Sequence, residues 1–535
     1  MTRLRVSLLS AFLFPLLLAA LAPATALQGP VEITLLHTSD VHAHLMPFTC
    51  ASGTAEGGYA RLAAYADRLR AQGRQVVLLS SGDVFQGTLF WRFFRGIPDA
   101  TFMRRMGFAG MALGNHEFDG GQSAIVDAFR DTGFPILSAN LRFTACKGLQ
   151  DLKRDSAIHE VRIGTDTLRL GLIGVTEENL ENDVPRPFLQ GIVIEPAETA
   201  IARELPRLKS QGADAVVVLA HLGWPREVQV AERFPEVCGV FGGHTHLFVD
   251  PPFVKEVPNG HQFLTESGEF GGVVTRLDLR LTPGPDGARV EVLAGGLMPL
   301  STGMPEDPVM KAEVDALWRQ VEEKVNVPLA TAPERLEGDR PFIRQQETNL
   351  GNLAADSMLD LGGADLAVLN GGGIRTSIEP GTVTIGDCLN VLPFDNYLVR
   401  LTMTGASVQR LFGQVRSILA TTPIFGGFLQ VSRGLQVRYA AAGVEVRLDG
   451  RPLDPEKRYT VITNDFLSNG GNGLSVFTEA VASEPTSVLQ ADALMQYVRK
   501  LGTIDTRVEG RIVVESPLAR LSMPRWRVQV PRPRD

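Results

Sequence analysis

Residues 31–42 read Val-Glu-Ile-Thr-Leu-Leu-His-Thr-Ser-Asp-Val-His, an apolar run that ends in an acid and an imidazole. Four later apolar runs also end in residues that can bind a metal: 76–79 leads to Asp83, 111–113 to Asn115 and His116, 215–220 to His221, and 237–241 to His244 and His246. Bare apolar runs are typical of strands buried on both faces. Because ligands bind beyond the carboxyl ends of strands in open α/β sheets, we expect one sheet to bring these five turns together.

The pattern between these runs predicts the fold class. Helical periodicity at 58–72, 123–132 and 197–211 alternates with the strands, which predicts a mostly parallel, helix-covered sheet over 31–250. In residues 263–295, apolar and polar residues alternate on either side of a Pro-Gly-Pro-Asp-Gly turn at 283–287. This pattern predicts an antiparallel hairpin. An amphipathic helix at 305–325 then leads to a second region, with one helix at 352–361 and strands at 366–369, 399–403, 434–439 and 458–463. We therefore expect an α/β protein of two domains joined by a helix.

Composition restricts the partners and the compartment. A chain of 535 residues with net charge −8 is too long for one core, and its charge disfavours binding to nucleic acid polymers. Arg3 and Arg5 before an apolar stretch at 6–20, with an Ala-Thr-Ala site at 24–26, predict a signal peptide over 1–26 and export to the periplasm or medium. That stretch is too short to span a bilayer, so no stable membrane insertion is expected after signal removal.

The remaining features are the cysteines and the C-terminal tail. Cys50 and Cys146 lie in loop-like sequence and are candidates to pair, whereas Cys238 and Cys388 lie in apolar sequence and are expected to be buried thiols. Residues 516–535 contain four prolines and five arginines, which predicts a disordered basic tail. The oligomeric state stays open.

The donor set in the five turns predicts metal chemistry. A single histidine at a strand end is more often structural than a ligand, but five of the nine histidines lie in these turns. Imidazole, carboxylate and amide oxygen together suit zinc, manganese or iron. The donors exceed the needs of one tetrahedral ion, and two cations about 3.5–4 Å apart can activate water for attack on phosphorus. The sequence has no nucleophilic serine elbow or Walker loop.

Motifs in both halves resemble one known family. Asp40-x-His42, Gly82-Asp83, Gly114-Asn-His-Glu117, His221 and Gly243-His-x-His246 resemble the calcineurin-like metallophosphoesterases in order and spacing. Motifs in the second half resemble the C-terminal domain of 5′-nucleotidases: Glu347-Thr-Asn-Leu-Gly-Asn352, Asn370-Gly-Gly-Gly-Ile-Arg375, Leu392-Pro-Phe394 and Asn469-Gly-Gly-Asn-Gly473. The resemblance implies a four-layer α/β/β/α metallophosphoesterase domain over 27–302, a linker helix over 303–326, and a smaller mixed α/β substrate-binding domain over 327–515.

The resemblance also assigns roles. It implies one divalent ion held by Asp40, His42, Asp83 and His246, and a second held by Asp83 as a bridge with Asn115, His221 and His244. It implies that His116 faces the phosphoryl group with Asp119 as its carboxylate partner, although from sequence alone Asp119 is also a candidate helix N-cap. It places the substrate against these residues: Arg344, Asn370, Arg375, Phe428, Phe466 and Asn472.

Several of these substrate residues have competing interpretations. Phe428 and Phe466 would sandwich the base, yet a phenylalanine is more often a core residue. Arg375 would bind phosphate, yet a surface ion pair is equally compatible with its sequence. Asn472 stands where the family commonly has an acid that bonds the ribose. Gln346 stands where some members have arginine, with Arg344 two residues earlier.

The predicted function is hydrolysis of nucleoside 5′-monophosphates, and by extension UDP-sugars, to nucleoside and phosphate by metal-activated water. One alternative is a 2′,3′-cyclic-nucleotide 2′-phosphodiesterase with 3′-nucleotidase activity. Another is a non-catalytic nucleotide-binding surface protein, which the complete ligand set disfavours. A thiosulfohydrolase shares the architecture, but the intact Gly114-Asn-His-Glu117 motif disfavours it.

Overall fold

The computed structural model describes residues 25–49, 55–285, 287–422, 424–440, 442–515 and 531–533. The strands of the first domain are β1 (Thr25–Ala26), β2 (Val31–Thr38), β3 (Phe48–Thr49), β4 (Ala55–Glu56), β5 (Val76–Ser80), β6 (Phe108–Ala112), β7 (Ile136–Leu137), β8 (Leu141–Phe143), β9 (Ser156–Ile163), β10 (Asp166–Thr176), β11 (Ile192–Ile194), β12 (Ala215–His221), β13 (Gly239–Gly242), β14 (Phe253–Val257), β15 (Gly260–Glu266), β16 (Val273–Thr282) and β17 (Arg289–Pro299). Its helices are α1 (Tyr59–Ala71), α2 (Leu89–Phe94), α3 (Ile97–Met106), α4 (Gln122–Phe129), α5 (Lys147–Leu152), α6 (Ala197–Ser210) and α7 (Trp224–Arg233).

Thirteen of these strands form one continuous sheet with two parallel halves, whereas β3 pairs with β4 and β8 with β11 in separate two-stranded sheets. The central path runs β1-β10-β12-β13-β15-β17-β16-β2-β5-β6-β7. The half containing β2, β5, β6 and β7 and the half containing β10, β12, β13 and β15 are each parallel. The predicted antiparallel hairpin, now β16 and β17, lies between the halves: β17 pairs parallel with β15, and β16 pairs antiparallel with β2. The expectation of a mostly parallel sheet over 31–250 is confirmed. Antiparallel pairing is confined to β9, β14 and the hairpin strand β16.

The two halves pack face to face and carry helices on their outer faces. Leu35 and Leu79 of one half share a buried cluster with Leu172 and Leu219 of the other. Alternate residues of the same strands, such as Leu36, face a second core formed with α1, α3 and α4, and α6 and α7 cover the other half. Side chains alternate along a strand, so each strand contacts two cores, which explains the bare apolar runs. The resulting α/β/β/α arrangement confirms the predicted fold class.

Helix α8 (Pro308–Val325) connects the two domains. It begins at Asp307, whose side chain accepts a hydrogen bond from the Met310 amide at 2.6 Å. Met310 and Val314 belong to the core of the first domain, whereas Val321 and Val325 belong to a core of the second. The helix is therefore packed into both domains rather than free between them.

The strands of the second domain are β18 (Pro328–Ala332), β19 (Leu366–Asn370), β20 (Gly381–Thr384), β21 (Tyr397–Thr404), β22 (Leu429–Val431), β23 (Leu435–Ala440), β24 (Gly443–Leu448), β25 (Arg451–Pro452), β26 (Arg458–Asn464), β27 (Ala482–Leu489) and β28 (Ile512–Val514). Its helices are α9 (Arg340–Ile343), α10 (Asn349–Gly362), α11 (Ile385–Val391), α12 (Gly405–Leu419), α13 (Asp465–Ser468) and α14 (Gln490–Leu501). A five-stranded sheet, β22-β19-β26-β21-β27, lies beside a four-stranded sheet, β25-β24-β23-β28. The prediction of one helix here was wrong, because α12 and α14 are also long and bury one face each.

Parts of the sequence-based predictions fall outside the described residues. Residues 1–24 of the predicted signal, Cys50, and residues 516–530 and 534–535 of the tail are among them. Within the predicted disordered tail, residues 531–533 instead contact the first domain: the Gly295 amide donates to the Pro531 carbonyl at 2.9 Å, and Arg532 pairs with Asp250 at 2.8 Å. Cys238 and Cys388 are buried, as predicted. Among the helices of the described ranges, none has the length and apolarity needed to cross a bilayer.

Candidate active site

The turns that follow β2, β5, β6, β12 and β13 meet at one edge of the sandwich. They bring the predicted ligands into two groups: Asp40, His42, Asp83 and His246, and Asp83, His221 and His244. Within each group the ligand atoms lie within 4.8 Å of one another, and Asp83 belongs to both. Asn115 completes the second group, because its Oδ1 lies 3.0 Å from His221 Nε2 and 3.0 Å from His244 Nδ1.

The spacing of these atoms fits coordination of small divalent ions. His246 Nε2 lies 3.1 Å from Asp40 Oδ1 and 3.3 Å from His42 Nε2. In the other group, His221 Nε2 lies 3.2 Å from Asp83 Oδ2. A tetrahedral ion about 2.0–2.2 Å from each ligand separates its ligand atoms by about 3.3–3.6 Å. The residues present therefore fit a metal centre of nitrogen and oxygen donors.

Hydrogen bonds at the far side of the rings set their tautomers. The Nδ1 atoms of His42 and His221 face main-chain carbonyls, Phe85 O at 3.2 Å and Ser81 O at 2.8 Å. His246 Nδ1 bonds the carboxylate of Glu269. A ring that donates from Nδ1 presents the Nε2 lone pair to a cation. Glu269 was missed at the sequence level, because it lies 23 residues from His246 in a turn without a motif.

Burial also favours the neutral, ligating form of most of the rings. It lowers the pKa of His244 to about 3 and holds the pKa of His42 and His246 well below the ordinary value. His221 differs: burial acts to lower its pKa, but the adjacent Asp83 carboxylate outweighs that effect and raises the pKa to about 10. A cation beside Asp83 would compete with that proton, because both are attracted by the same carboxylate.

The backbone at the ligands is strained. Five of the seven predicted ligands have left-handed φ angles: Asp40 at 52°, His42 at 50°, Asp83 at 51°, His244 at 74° and His246 at 60°. Such residues each cost about 1–3 kcal/mol and concentrate at functional sites. A Cβ added at Gly114 would lie 2.2 Å from Asp83 Oδ1, so the glycine of this motif permits the close approach of two ligand turns.

A buried glutamate fixes that approach. Glu117 is fully buried, and its carboxylate accepts hydrogen bonds from the amides of Gly114 at 2.6 Å and Asp83 at 3.0 Å. It also accepts from Val84 at 2.7 Å and Phe85 at 3.1 Å. The side chain thus joins the turn after β5 to the turn after β6. The sequence-based predictions gave Glu117 no role, although an acid so close to the end of an apolar strand could have indicated a role.

His116 lies beside the ligand groups but belongs to neither. Its amide donates to Asp83 Oδ1 at 2.9 Å, and its ring Nδ1 lies 2.7 Å from Asp119 Oδ2. Asp119 is not a helix N-cap, because α4 begins after Gly121 without a side-chain cap. Burial acts to lower the pKa of His116, but the carboxylates of Asp119 and Asp83 outweigh it and raise the pKa above its ordinary value.

A cavity of about 1310 Å³ extends from these residues to the second domain. Five of the predicted substrate residues line it: Arg344, Asn370, Arg375, Phe466 and Asn472. Arg375 Nη2 reaches within 3.4 Å of His42 Nε2. Arg340, which the sequence-based predictions did not include, also lines the cavity and donates to the His244 carbonyl at 3.3 Å. Its position four residues before Arg344, one helical turn, was the available signal.

The structure corrects the position of one aromatic ring. Phe428 is fully buried, belongs to the hydrophobic core around α12, and does not line the cavity. It directly precedes β22, and its ring lies 6.1 Å from that of Tyr439. Phe425, three residues earlier in the same glycine-rich loop, lines the cavity instead, as does Phe466. Which of the two rings reaches the cavity depends on the loop conformation.

The chain matches two family models. Residues 33–248 match the calcineurin-like phosphoesterase model, and residues 328–479 match the model of the 5′-nucleotidase C-terminal domain. The crystal structure of a 5′-nucleotidase precursor from Thermus thermophilus has a TM-score of 0.82 and 32% sequence identity, covering 91% of this chain and 100% of that chain.

This chain belongs to the 5′-nucleotidase family. The predicted enzyme class, a metal-dependent phosphoesterase, is thereby confirmed. Human 5′-nucleotidase is 29% identical over 557 residues, covering 92% of this chain and 94% of that protein. The trifunctional nucleotide phosphoesterase protein YfkN of Bacillus subtilis (strain 168) is also 29% identical over 534 residues. The alignment covers 91% of this chain, which spans only 35% of that longer relative.

One departure of this family member is visible in its cavity. Asn472, in the place where an acid is common, has a left-handed φ of 56° and accepts a hydrogen bond from Asn370 Nδ2 at 3.1 Å. Asn370 in turn accepts from Asn464 Nδ2 at 3.2 Å. The end of the cavity near Phe466 is therefore lined by the neutral amides of Asn370 and Asn472, together with the acid Asp465.

Proposed function

We propose that this chain is an exported 5′-nucleotidase that binds two divalent ions and hydrolyses nucleoside 5′-monophosphates to nucleoside and phosphate. One observation carries the proposal: a single cavity joins the ligand groups of the first domain to arginines and aromatic rings of the second. A nucleotide has matching parts, a dianionic phosphate and a flat base. The first domain supplies metal ligands for the phosphate, and the second domain supplies arginines for the phosphate and aromatic rings for the base.

The first part of the proposal is the metal centre. Asp40, His42 and His246 would hold one ion, Asn115, His221 and His244 the other, and Asp83 both. Zinc, manganese and similar ions suit these donors. When bound, such ions supply Lewis-acid activation of water and neutralise charge on the phosphoryl group.

The second part is recognition of the phosphate by the chain's own residues. Arg340, Arg344 and Arg375 line the same cavity as the predicted metal ligands, and arginine binds phosphate oxygens in bidentate fashion. His116 would donate a hydrogen bond to the phosphoryl group or its leaving oxygen. Asp119 orients the His116 ring and favours its protonated form.

The third part is recognition of the nucleoside. Phe425 and Phe466 would stack on the base, an interaction worth about 1–3 kcal/mol per base and tolerant of base identity. Phe425 takes the place that the sequence-based prediction gave to Phe428. The amides of Asn370 and Asn472 would contact the sugar.

Export rests on the sequence of residues 1–26. A positive start, an apolar stretch and a small-residue cleavage site are the features of a secretory signal. Amino-terminal sequencing of protein recovered from the periplasm or medium should begin near Leu27. Recovery in the cytoplasm with Met1 intact would contradict this part alone.

A substrate panel tests the activity. Purified protein with added Mn²⁺ should release phosphate from AMP, and chelation should abolish the release. Parallel reactions with 2′,3′-cyclic AMP, 3′-AMP and UDP-glucose distinguish the cyclic-nucleotide and sugar-nucleotide alternatives. Binding of AMP without hydrolysis of any member would favour the non-catalytic alternative and reject the proposal.

A further inference from the structure

Glu227 is a fully buried acid that no metal motif contains. It lies on α7, and its Oε1 accepts hydrogen bonds from the amides of Leu222 at 3.4 Å, Gly223 at 3.1 Å and Gly243 at 3.0 Å. Leu222 and Gly223 directly follow His221, and Gly243 directly precedes His244. One carboxylate oxygen therefore joins the ligand turns after β12 and β13.

A second buried acid continues this arrangement. Glu266 is fully buried at the end of β15, and its Oε2 accepts from the Leu247 amide at 2.8 Å, directly after His246. The two oxygens that bind none of these amides, Glu227 Oε2 and Glu266 Oε1, are both buried without a hydrogen-bond partner among the described residues. Burial, and then the neighbouring Glu227, raise the pKa of Glu266 well above its ordinary value. A Cβ at Gly242 would lie 2.0 Å from Glu227 Oε2, so a glycine there leaves room for the pair. Two neighbouring buried carboxyl groups cannot both be ionised, so at least one of them is protonated.

We propose that Glu227 and Glu266 form an acid pair that positions His221, His244 and His246 for metal binding. The inference rests on the two-ion centre proposed above. Both glutamates are positioning residues, since their contacts with the ligand turns are made through main-chain amides rather than through the ions.

The hydrogen bonds of Glu227 distinguish it from an ordinary buried acid. Burying a carboxyl group costs free energy that an apolar side chain at the same helix position would avoid. Its accepted bonds come from the main chain of turns where His244 and His246 have left-handed φ angles of 74° and 60°. Such strained turns persist only when surrounding contacts hold them. The amides bound by the pair belong to residues directly beside all three histidines.

Glu204 on α6 offers a matched comparison. It is 1% exposed in the same domain, but its carboxylate bonds the side chains of Ser156 at 2.7 Å, Arg203 at 3.0 Å and Arg207 at 3.1 Å. Removing Glu204 should lower stability without touching a ligand turn. Removing Glu227 should change the ligand turns as well.

Titration of the metal-stripped full chain with Mn²⁺ alone, followed by calorimetry, tests the inference without substrate. E227L should weaken binding of at least one ion by about 10–100-fold, the usual effect of removing a group that orients ligands. E227Q should bind Mn²⁺ with an affinity close to that of the parent. Glutamine keeps the oxygen that accepts from the three amides and adds an N–H that can donate to Glu266. E204L should lower the melting temperature of the apoprotein while binding Mn²⁺ like the parent.

Three outcomes would overturn the inference. Parent-like Mn²⁺ affinity in folded E227L would show that the glutamate is only structural. If E227L fails to fold, E227D replaces it in the test, because the shorter side chain withdraws the carboxylate oxygen from the amides. Parent-like Mn²⁺ affinity in E227D would likewise show that the glutamate is only structural. A parent chain that binds no Mn²⁺ rejects the proposed two-ion centre itself, which is a separate failure.

Discussion

The ring of His116 is hydrogen-bonded to the carboxylate of Asp119, with Nδ1 and Oδ2 2.7 Å apart, beside the two groups of predicted metal ligands. The pair is held there by the His116 amide, which donates to Asp83 Oδ1 at 2.9 Å. The residue that the two metal groups share thus lies next to the backbone of the proposed catalytic histidine. A change at Asp83 should therefore affect both ion binding and the placement of His116.

The pH dependence of turnover should report the His116–Asp119 pair. Burial acts to lower the pKa of His116, and the carboxylates of Asp119 and Asp83 reverse this and raise it. The protonated ring is then present below the raised pKa and is lost as pH rises through it. D119N should lower kcat by about 100-fold, within the usual range for general acid–base catalysis, and should move the alkaline limb of the pH profile to lower pH. An unmoved limb would show that Asp119 does not tune His116.

Asp83→Asn should weaken the binding of both proposed ions and lower kcat. The carboxylate belongs to both ligand groups, and an amide cannot supply two anionic oxygens. Loss of several kcal/mol of charge stabilisation corresponds to a fall in kcat of at least about 100-fold. Metal analysis of the purified variant should find fewer ions than in the parent. Full metal content with parent activity would reject the shared role.

Phe425→Ala and Phe428→Ala should have different signatures. F425A removes a ring that lines the cavity and should raise KM for AMP by about 5–150-fold, the equivalent of 1–3 kcal/mol of stacking, in addition to a loss of stability, because the same ring packs in the core with Phe428. F428A should leave KM unchanged. F428A empties a core position and should cost about 3–5 kcal/mol of stability. Steady-state kinetics and chemical denaturation of both variants check this. A KM defect confined to F428A would restore the sequence-based assignment.

Metal removal should destabilise the first domain. Ions at 100 times their dissociation constant stabilise the folded state by about 2.7 kcal/mol, which corresponds to a melting shift of about 5–10 °C for a domain of this size. Calorimetry with and without chelator measures the shift. We expect this destabilisation because the predicted ligands with left-handed φ angles are strained, and the strain is uncompensated when the ions are absent. Equal melting temperatures would contradict ion binding.

The fold and the ligands were predictable because each depends on local sequence. Runs such as 215–220 are buried on both faces and can be identified as strands without knowing which strands they pair with. His221 ends that run, so the strand itself fixes its position. The second domain was harder. Helix α12 mixes glycine and β-branched residues, so its one buried face is decided by the sheet it packs on rather than by helix propensity.

The sequence by itself determined the alternation of strands and helices and the position of the seven predicted ligands near strand ends, because donors at strand ends and apolar periodicity lie within short segments. The four-layer arrangement and the pairing of His116 with Asp119 were expected from the family resemblance. Only the tertiary structure decided that Phe425 rather than Phe428 lines the cavity, that Arg340 lines it as well, and that Glu227 and Glu266 are neighbours. These facts depend on distances between segments far apart in the chain, as for Ser81 and His221, which lie 140 residues apart yet share a hydrogen bond of 2.8 Å. No local pattern encodes such a distance, because it is fixed by how the two halves of the sheet pack.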